Sequence, residues 1–530
     1  MTVYSNNLIQ LDQIMENIKI LWADDEIDLL KPHVMFLEQK GFTVETVNNG
    51  DDAIDIVNDK NFDIVFLDEN MPGISGLEAL TQIKAKHPLL PIIMITKSEE
   101  ESIMEEAIGS KISDYLIKPV NPNQILLSVK RNLDSKRLRS EKSTSNYQQE
   151  FREIAMTLSG NLSIEEWGEI YKKLVYWELE LENGADESMT EILTMQKQEA
   201  NAQFFKFIQR NYIDWLNSSD EAPIMSHTLF KERIAPQIEG NQPVFLLLID
   251  NLRYDQWKMI RPLMSEFFNV DNEELFYSIL PTATQYSRNA LFAGLMPSEI
   301  ESRFPKLWKN ENEEGGKNMH EDEFLKEQLK RLGKNVKSSY NKITNHAAGK
   351  RLVDNFNNLQ HNDFNVIVYN FVDMLSHART DMEVIRELAD DEAAYRSLTV
   401  SWFEHSPLFD IIKKIHACNG KILIATDHGT VRVKEPAKVI GDKNTNTNLR
   451  YKVGKNLQYS PKDVFEVRNP DDIFLPKTNV SSTYLFARED KFFAYPNNFN
   501  HYVKFYRDTF QHGGISMEEM LIPFVELSPK

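Results

Sequence analysis

At 530 residues, with 41% hydrophobic and 26% charged positions, the chain has ordinary globular composition and is too long for one core. Roughly two to four domains are expected, and general disorder is excluded. A formal net charge of -20 opposes a long run of phosphate contacts, so a protein that coats duplex nucleic acid is disfavoured while a local basic pocket is not.

The opening run MTVYSNNLIQLDQIMEN carries neither the basic nor the apolar region of a signal peptide, and no stretch approaches the length of a membrane span. A cytoplasmic protein is expected. The single cysteine, Cys418, permits no internal disulfide and fits a reducing compartment.

Between residues 17 and 133, the runs NIKILWADD, FTVETVNN, FDIVFLDEN, PIIMITK and DYLIKP alternate with amphipathic helical stretches. That alternation predicts a doubly wound α/β domain with a five-stranded parallel sheet over residues 1–137. Residues 134–149, DSKRLRSEKSTSNYQQ, are nearly devoid of apolar side chains and read as a solvated helix end or linker.

From residue 150 to 216 the period lengthens to that of a helix. Ile164, Trp167, Tyr171, Leu174 and Leu181 share one face, as do Phe204, Ile208, Tyr212 and Trp215. Ser163 with Glu166, and Ser188 with Glu191, predict capping boxes, and ENGAD breaks the chain between helices. A small helical bundle is expected over 138–218, its aromatic stripe serving as core. From residue 219 to 530 α/β alternation returns in PVFLLLIDNLR, ELFYSILPTAT, DFNVIVYNFVDMLSH and GKILIATDHG. Each run ends in polar side chains, where open α/β sheets gather their ligand sites.

The first domain's strand ends supply Asp24, Asp25, Asp68, Thr96 and Lys118. Clustered carboxylates suit Mg2+, beside which one of them can attack phosphorus while Lys118 adds a fixed positive charge. The order and spacing resemble the receiver domain of two-component response regulators, a flavodoxin-like fold. The resemblance implies Asp24 and Asp25, with Asp68, as Mg2+ ligands and Asp68 as phosphoacceptor. It further implies Thr96 and Lys118 as phosphoryl contacts and Tyr115 as a rotameric switch.

In the last domain Asp250, Asp427 and His428 end apolar runs, Asp373 and His377 lie four apart, and His512 opens HGGIS. With Thr284 they form a set of acids, imidazoles and one hydroxyl large enough for two metals. This pattern resembles the PglZ-like branch of the alkaline phosphatase superfamily over residues 240–527. The resemblance implies an alkaline-phosphatase-like α/β domain with two Zn2+ ions. Asp373, His377 and His512 would hold one; Asp250, Asp427 and His428 would hold the other, on which Thr284 would sit as nucleophile. Thr284 is preferred to Thr282 by its distance to the turn GLMP, as in nucleotide pyrophosphatase and phosphodiesterase relatives. Where those relatives carry an Asn three residues past the nucleophile, this chain has Ser287, followed by Arg288 and Asn289. Phosphate contacts are expected from Arg288 or Asn289.

Residues 430–459 hold more Lys and Arg than Asp and Glu, which fits either a mobile basic flap using Arg450 and Lys452 or a plain solvated loop. Gln285, Tyr286 and Arg288 could stack on or clamp a nucleotide, but no base-reading motif is visible.

Receiver, bundle and PglZ-like hydrolase in this order resemble the response regulators linked to type IX secretion in Bacteroidetes. That resemblance implies a sensor histidine kinase, an extracytoplasmic-function sigma factor, and phosphodiester substrates such as linear or cyclic oligonucleotides; receiver domains also imply a homodimer on phosphorylation. No helix-turn-helix with a basic recognition helix follows the receiver, so transcriptional output would be indirect. Two alternatives stay open: an interaction protein whose structural zinc site presents a surface to a sigma factor, and a zinc hydrolase of phosphomonoesters or sulfate esters.

Overall fold

The computed structural model describes residues 18–87, 90–97, 112–182, 187–217, 221–238, 242–381, 391–442, 445–477, 479 and 481–530. The opening run through Asn17, the helical stretch expected over 98–111 and most of ENGAD lie outside the described residues. By its contacts the chain divides into two compact units, Met1–Gln148 with Asn183–Asp186, and Gln149–Glu182 with Glu187–Lys530.

The first unit is built on strands β1 (Lys19–Ala23), β2 (Thr43–Val47), β3 (Ile64–Leu67), β4 (Ile92–Thr96) and β5 (Asp114–Ile117), ordered β2-β1-β3-β4-β5. Every neighbouring pair is parallel. The inner strands are apolar throughout because helices cover both faces. Leu21, Val65, Leu67 and Met94 point to one side, against Ala53, Leu80 and Ile83 from helices Gly50–Asp59 and Gly76–Lys86. Their neighbours Ile20, Trp22, Ile64, Phe66 and Ile93 point to the other, against Leu37, Ile125 and Val129. Each such apolar side chain, once buried, is worth about 1.5–3 kcal/mol before chain entropy is subtracted.

Helix Pro122–Leu158 includes residues 134–149, so the expected helix end or linker is continuous helix. Helix Ile164–Glu182 starts with the expected box: Glu166 N–H donates to Ser163 Oγ at 3.3 Å, and Ser163 N–H to Glu166 Oε2 at 2.7 Å. The second expected box, Ser188 with Glu191, falls at the start of helix Glu187–Asn217, directly after a stretch outside the described residues.

In the second unit these helices share their aromatic face with the sheet. Trp167 meets Phe204 edge-on at 5.3 Å between centroids, and Trp215 meets Tyr277 at 5.4 Å. The sheet comprises β6 (Val244–Ile249), β7 (Phe268–Tyr277), β8 (Ser338–Ile343), β9 (Phe364–Tyr369), β10 (Lys421–Ala425) and β11 (Leu521–Pro529). Their order is β7-β11-β10-β6-β9-β8. Strands β10, β6, β9 and β8 run parallel, and β11 lies antiparallel to both its neighbours. Strand β6 is fully buried, and the chain leaves it and its neighbours β9 and β10 at one edge, which is where the candidate ligands collect.

The expectation of a basic flap is corrected as well. Tyr451–Gly454 is a strand hydrogen-bonded to the central strand Thr483–Ala487 of a three-stranded sheet. Arg450 is fully buried against Glu519, 2.6 Å away. Lys452 donates to Asn446 O at 2.9 Å, and burial lowers its pKa to about 8. Packing and pairing hold both cations inside. No helix among the described residues is long and apolar enough to cross a membrane.

Candidate functional site

In the first unit the parallel strands deliver their C-terminal residues to one edge. Asp24 follows β1, Asp68 follows β3, Thr96 ends β4, and Lys118 follows β5. Ligand oxygens of Asp24, Asp25 and Asp68 lie within 4.8 Å of one another. Lys118 Nζ stands 2.8 Å from Asp24 Oδ2 and 3.0 Å from Asp68 Oδ2. Asp68 is buried, and burial raises its pKa to about 6; the Lys118 hydrogen bond and charge oppose the rise, while Asp24 and Asp25 add to it. Its Oδ1 accepts no hydrogen bond, so a carboxylate oxygen faces the acidic cluster ready for a cation or a phosphoryl group. Thr96 is buried and Tyr115 half-buried beside this edge. A glycine makes the approach of the next helix possible: a Cβ at Gly76 would fall 2.2 Å from the Asp68 carbonyl oxygen.

In the second unit two donor clusters form. Asp250, Asp427 and His428 make one, Asp373, His377 and His512 the other, each with ligand atoms within 4.8 Å of one another. Asp250 follows β6, and Asp427 and His428 follow β10 after Thr426. Asp373 and His377 sit on one face of helix Phe371–Asp381, as a separation of four residues requires. His512 follows the short strand Phe510–Gln511, which is paired with Val431–Arg432 just beyond His428. The two clusters are contiguous. The rings of His428 and His512 stack with centroids 4.1 Å apart. Asn251 joins the carboxylates, its N–H donating to Asp427 Oδ1 at 3.3 Å and its Nδ2 to Asp373 Oδ1 at 3.4 Å. At φ 65° it holds a left-handed conformation that asparagine tolerates better than most residues.

Two imidazoles, the buried His428 and the half-buried His512, each turn Nδ1 to a backbone carbonyl. His428 Nδ1 meets Gly429 O at 3.1 Å and His512 Nδ1 meets Thr282 O at 3.1 Å. A carbonyl can only accept, so in each ring Nδ1 carries a hydrogen and Nε2 is the atom turned toward the carboxylates, 3.9 Å from Asp250 Oδ1 for His428 and 3.6 Å from Asp373 Oδ1 for His512. Burial, reinforced by His428 and His377, pushes the His512 pKa well down and keeps the ring neutral. Burial likewise pushes Asp250 well up, against the Arg288 charge, and its Oδ1 accepts no hydrogen bond although the residue is buried. Two carboxylate-imidazole sets with an unsatisfied buried oxygen fit a pair of borderline cations such as Zn2+.

Thr284 begins helix Thr284–Ala293 and is half-buried, its Oγ1 3.1 Å from His428 Nε2. The Thr282 hydroxyl is engaged elsewhere, donating to Gly514 O at 2.9 Å and accepting from Gly513 N–H at 3.0 Å. Thr282 thereby ties down the His512 loop, and Thr284 faces the clusters.

Arg288 and Asn289, expected to contact phosphate, turn inward. Arg288 is fully buried, ion-paired to Asp250 and lying 3.0 Å from Asp427 Oδ2. Asn289 Nδ2 donates to Gln285 O at 2.8 Å and to Lys317 O at 3.1 Å. Of the residues expected near a nucleotide, Tyr286 is buried with its hydroxyl donating to Glu311 at 3.0 Å, and Gln285 donates to Lys309 O at 2.8 Å. Sequence reasoning missed Asn251, Ser278, whose Oγ donates to Asp427 O at 2.7 Å, and Glu321 behind Arg288. Only Asn251 carried a signal, standing directly after Asp250. Gly429 completes the loop, since a Cβ there would lie 2.0 Å from Glu518 O.

Three families account for most of the length. The response regulator receiver domain matches residues 20–130, the PorX response regulator linker domain residues 137–216, and the BREX system PglZ alkaline phosphatase-like domain residues 229–527. Among curated proteins, the chain is 37% identical over 120 residues to the transcriptional regulatory protein ResD of Bacillus subtilis, covering 23% of this chain and 49% of ResD. It is 32% identical over 112 residues to SrrA of Staphylococcus aureus, covering 21% of this chain and 46% of SrrA. The match thus spans less than half of either relative. Similar solved structures include TrrA of Thermotoga maritima bound to Mg2+ and BeF, at 30% identity and TM-score 0.21, covering 22% of this chain and 98% of TrrA. CheY4 of Vibrio cholerae is another, at 27% identity and TM-score 0.21, covering 22% and 98%. With more than half its length matched by that domain, the chain belongs to the PglZ alkaline phosphatase-like family, joined to a receiver and linker in the order of PorX-like response regulators.

Proposed function

We propose that this protein is a response regulator phosphorylated on Asp68 whose PglZ domain is a two-zinc phosphodiesterase with Thr284 as nucleophile. The observation that carries the reading is Thr284 Oγ1, half-buried and 3.1 Å from His428 Nε2, where the two donor clusters meet. Asp373, His377 and His512 would hold one ion and Asp250, Asp427 and His428 the other. When bound, the ions supply charge neutralisation for a phosphate and acidify the hydroxyl. The chain's own residues do the rest. Thr284 Oγ1 attacks phosphorus in line, a P–O bond to the leaving alcohol breaks, and water then hydrolyses the phosphothreonine to restore the hydroxyl. The start of helix Thr284–Ala293 adds partial positive charge beside the phosphate.

In the receiver, Asp24 and Asp25 would hold Mg2+ while Asp68 accepts the phosphoryl group from a sensor histidine kinase, with Lys118 and Thr96 contacting it and Tyr115 responding. From the resemblance to PorX-like regulators come the finer parts of the proposal: cytoplasmic action, a homodimer on phosphorylation, linear or cyclic oligonucleotide substrates, an extracytoplasmic-function sigma factor as partner, and control of type IX secretion. The test measures zinc per chain together with hydrolysis of an aryl phosphodiester and the matching monoester, for the natural protein and Thr284→Val. Diester turnover lost with zinc retained supports the proposal; zinc with no turnover of either ester favours a structural site that presents a binding surface.

A further inference from the structure

Arg288 lies one helical turn beyond Thr284 and has no exposed side-chain surface. Its Nε donates to Asp427 Oδ2 at 3.0 Å, and its Nη2 is ion-paired to Asp250 Oδ2 while standing 3.0 Å from Asp427 Oδ2. Nη1 donates to Asn370 Oδ1 at 3.4 Å and lies 3.6 Å from Glu321 Oε1. Glu321 is itself buried and accepts from Tyr340 and, at 2.7 Å, from Lys342 Nζ. One planar cation is thus shared by three buried carboxylates, two of which are candidate metal ligands from different strands.

A guanidinium without exposed surface cannot meet a phosphate that enters from solvent. What its fork can do is fix the angle between two acids. Each aspartate turns Oδ2 toward Arg288, which leaves Asp250 Oδ1, without a hydrogen bond, on the side of His428 Nε2, 3.9 Å away. Asp427 Oδ1 is fixed from another direction by Asn251 N–H at 3.3 Å. Without the guanidinium, two buried like charges would repel and swing apart, and the cation would have to gather them before binding. Lysine cannot replace it fully, because a point charge does not span two carboxylates as a planar fork does.

We infer that Arg288 is a positioning residue for the cation held by Asp250, Asp427 and His428, fixed in turn by Glu321, and not a ligand of the substrate phosphate. The inference rests on the two-metal reading for the identity of the ion. It concerns affinity for one ion of the pair, so its signature is metal binding before it is turnover.

The test titrates zinc into the chelated full-length protein against a chromophoric chelator and then measures kcat and KM on an aryl phosphodiester, for the natural protein, Arg288→Gln, Arg288→Lys and Glu321→Gln. In Arg288→Gln one of two zinc equivalents should weaken about 10- to 100-fold, the range for lost support of metal ligands, while the other stays unchanged. The kcat should fall and recover with added zinc while KM holds. Arg288→Lys should lie between. Glu321→Gln, which keeps every ligand and the guanidinium, should weaken the same equivalent and carries the test if Arg288→Gln does not fold. Unchanged zinc binding with a raised KM would overturn the inference in favour of phosphate contact. Tighter zinc binding would overturn it in favour of a guanidinium that competes with the ion. A natural protein that takes up no zinc would overturn the two-metal reading and this inference together, and is seen before any substitution is compared.

Discussion

Asp68 gives the most quantitative prediction. Its pKa rises from 3.8 to about 6 through burial, with Lys118 only partly compensating, so the metal-free folded receiver binds a proton more tightly than the unfolded chain does. The sign follows: stability falls as pH climbs from about 4 through 6 and stays low above that. A shift of this size corresponds to about 3 kcal/mol at 1.36 kcal/mol per unit, and solvent screening reduces it to about 1–2 kcal/mol. Asp68→Asn removes the buried charge and should abolish the dependence, so the variant should be more stable than the natural protein at pH 7.5 and nearly equal to it at pH 4. If the acidic cluster of the natural protein takes up Mg2+, adding the ion should close the gap at high pH. Hydrogen exchange of peptides spanning β1 and β3, corrected for intrinsic rates and run with and without Mg2+, reads the opening energy of the receiver within the full chain. Parallel pH profiles for the natural and substituted proteins in chelator would refute the reasoning.

Three further substitutions test the surrounding scaffold. Gly429→Ala places a Cβ 2.0 Å from Glu518 O, a clash with backbone that no rotamer relieves; a loss of about 1–3 kcal/mol is expected in thermal unfolding, together with lower zinc content. Thr282→Val removes the hydroxyl that donates to Gly514 O and accepts from Gly513 N–H, which should cost about 1–3 kcal/mol and increase exchange of the 512–514 loop amides. Arg450→Met leaves Glu519 buried without the cation now 2.6 Å away, so unfolding should be easier by about 3–5 kcal/mol, whereas a mobile flap would give no change.

The positions of Asp250, Asp427 and His428 at strand ends could be read from the sequence because VFLLLI and KILIA are unbroken apolar runs that stop at those polar residues. Leu21 and Trp22 point to opposite faces of the receiver sheet, as successive strand residues must. What could not be read depends on partners far along the chain. Arg288 is a cation in a helix, and Asp250, Asp427 and Glu321, all distant in sequence, make burial tolerable for it. Arg450 and Lys452 looked like a flap because local charge gives no notice of Glu519 or of the pairing with Thr483–Ala487.

Six side chains from distant parts of the sequence, Asp250, Asp373, His377, Asp427, His428 and His512, form two adjoining donor clusters, and the proposed pair of cations would lie within them. Diffraction data collected on crystals of the natural protein on either side of the zinc absorption edge test that placement directly. Two anomalous peaks are expected, one bounded by Asp250, Asp427 and His428 and one by Asp373, His377 and His512. Absence of zinc signal from both clusters, or signal only at surface histidines outside them, would contradict it.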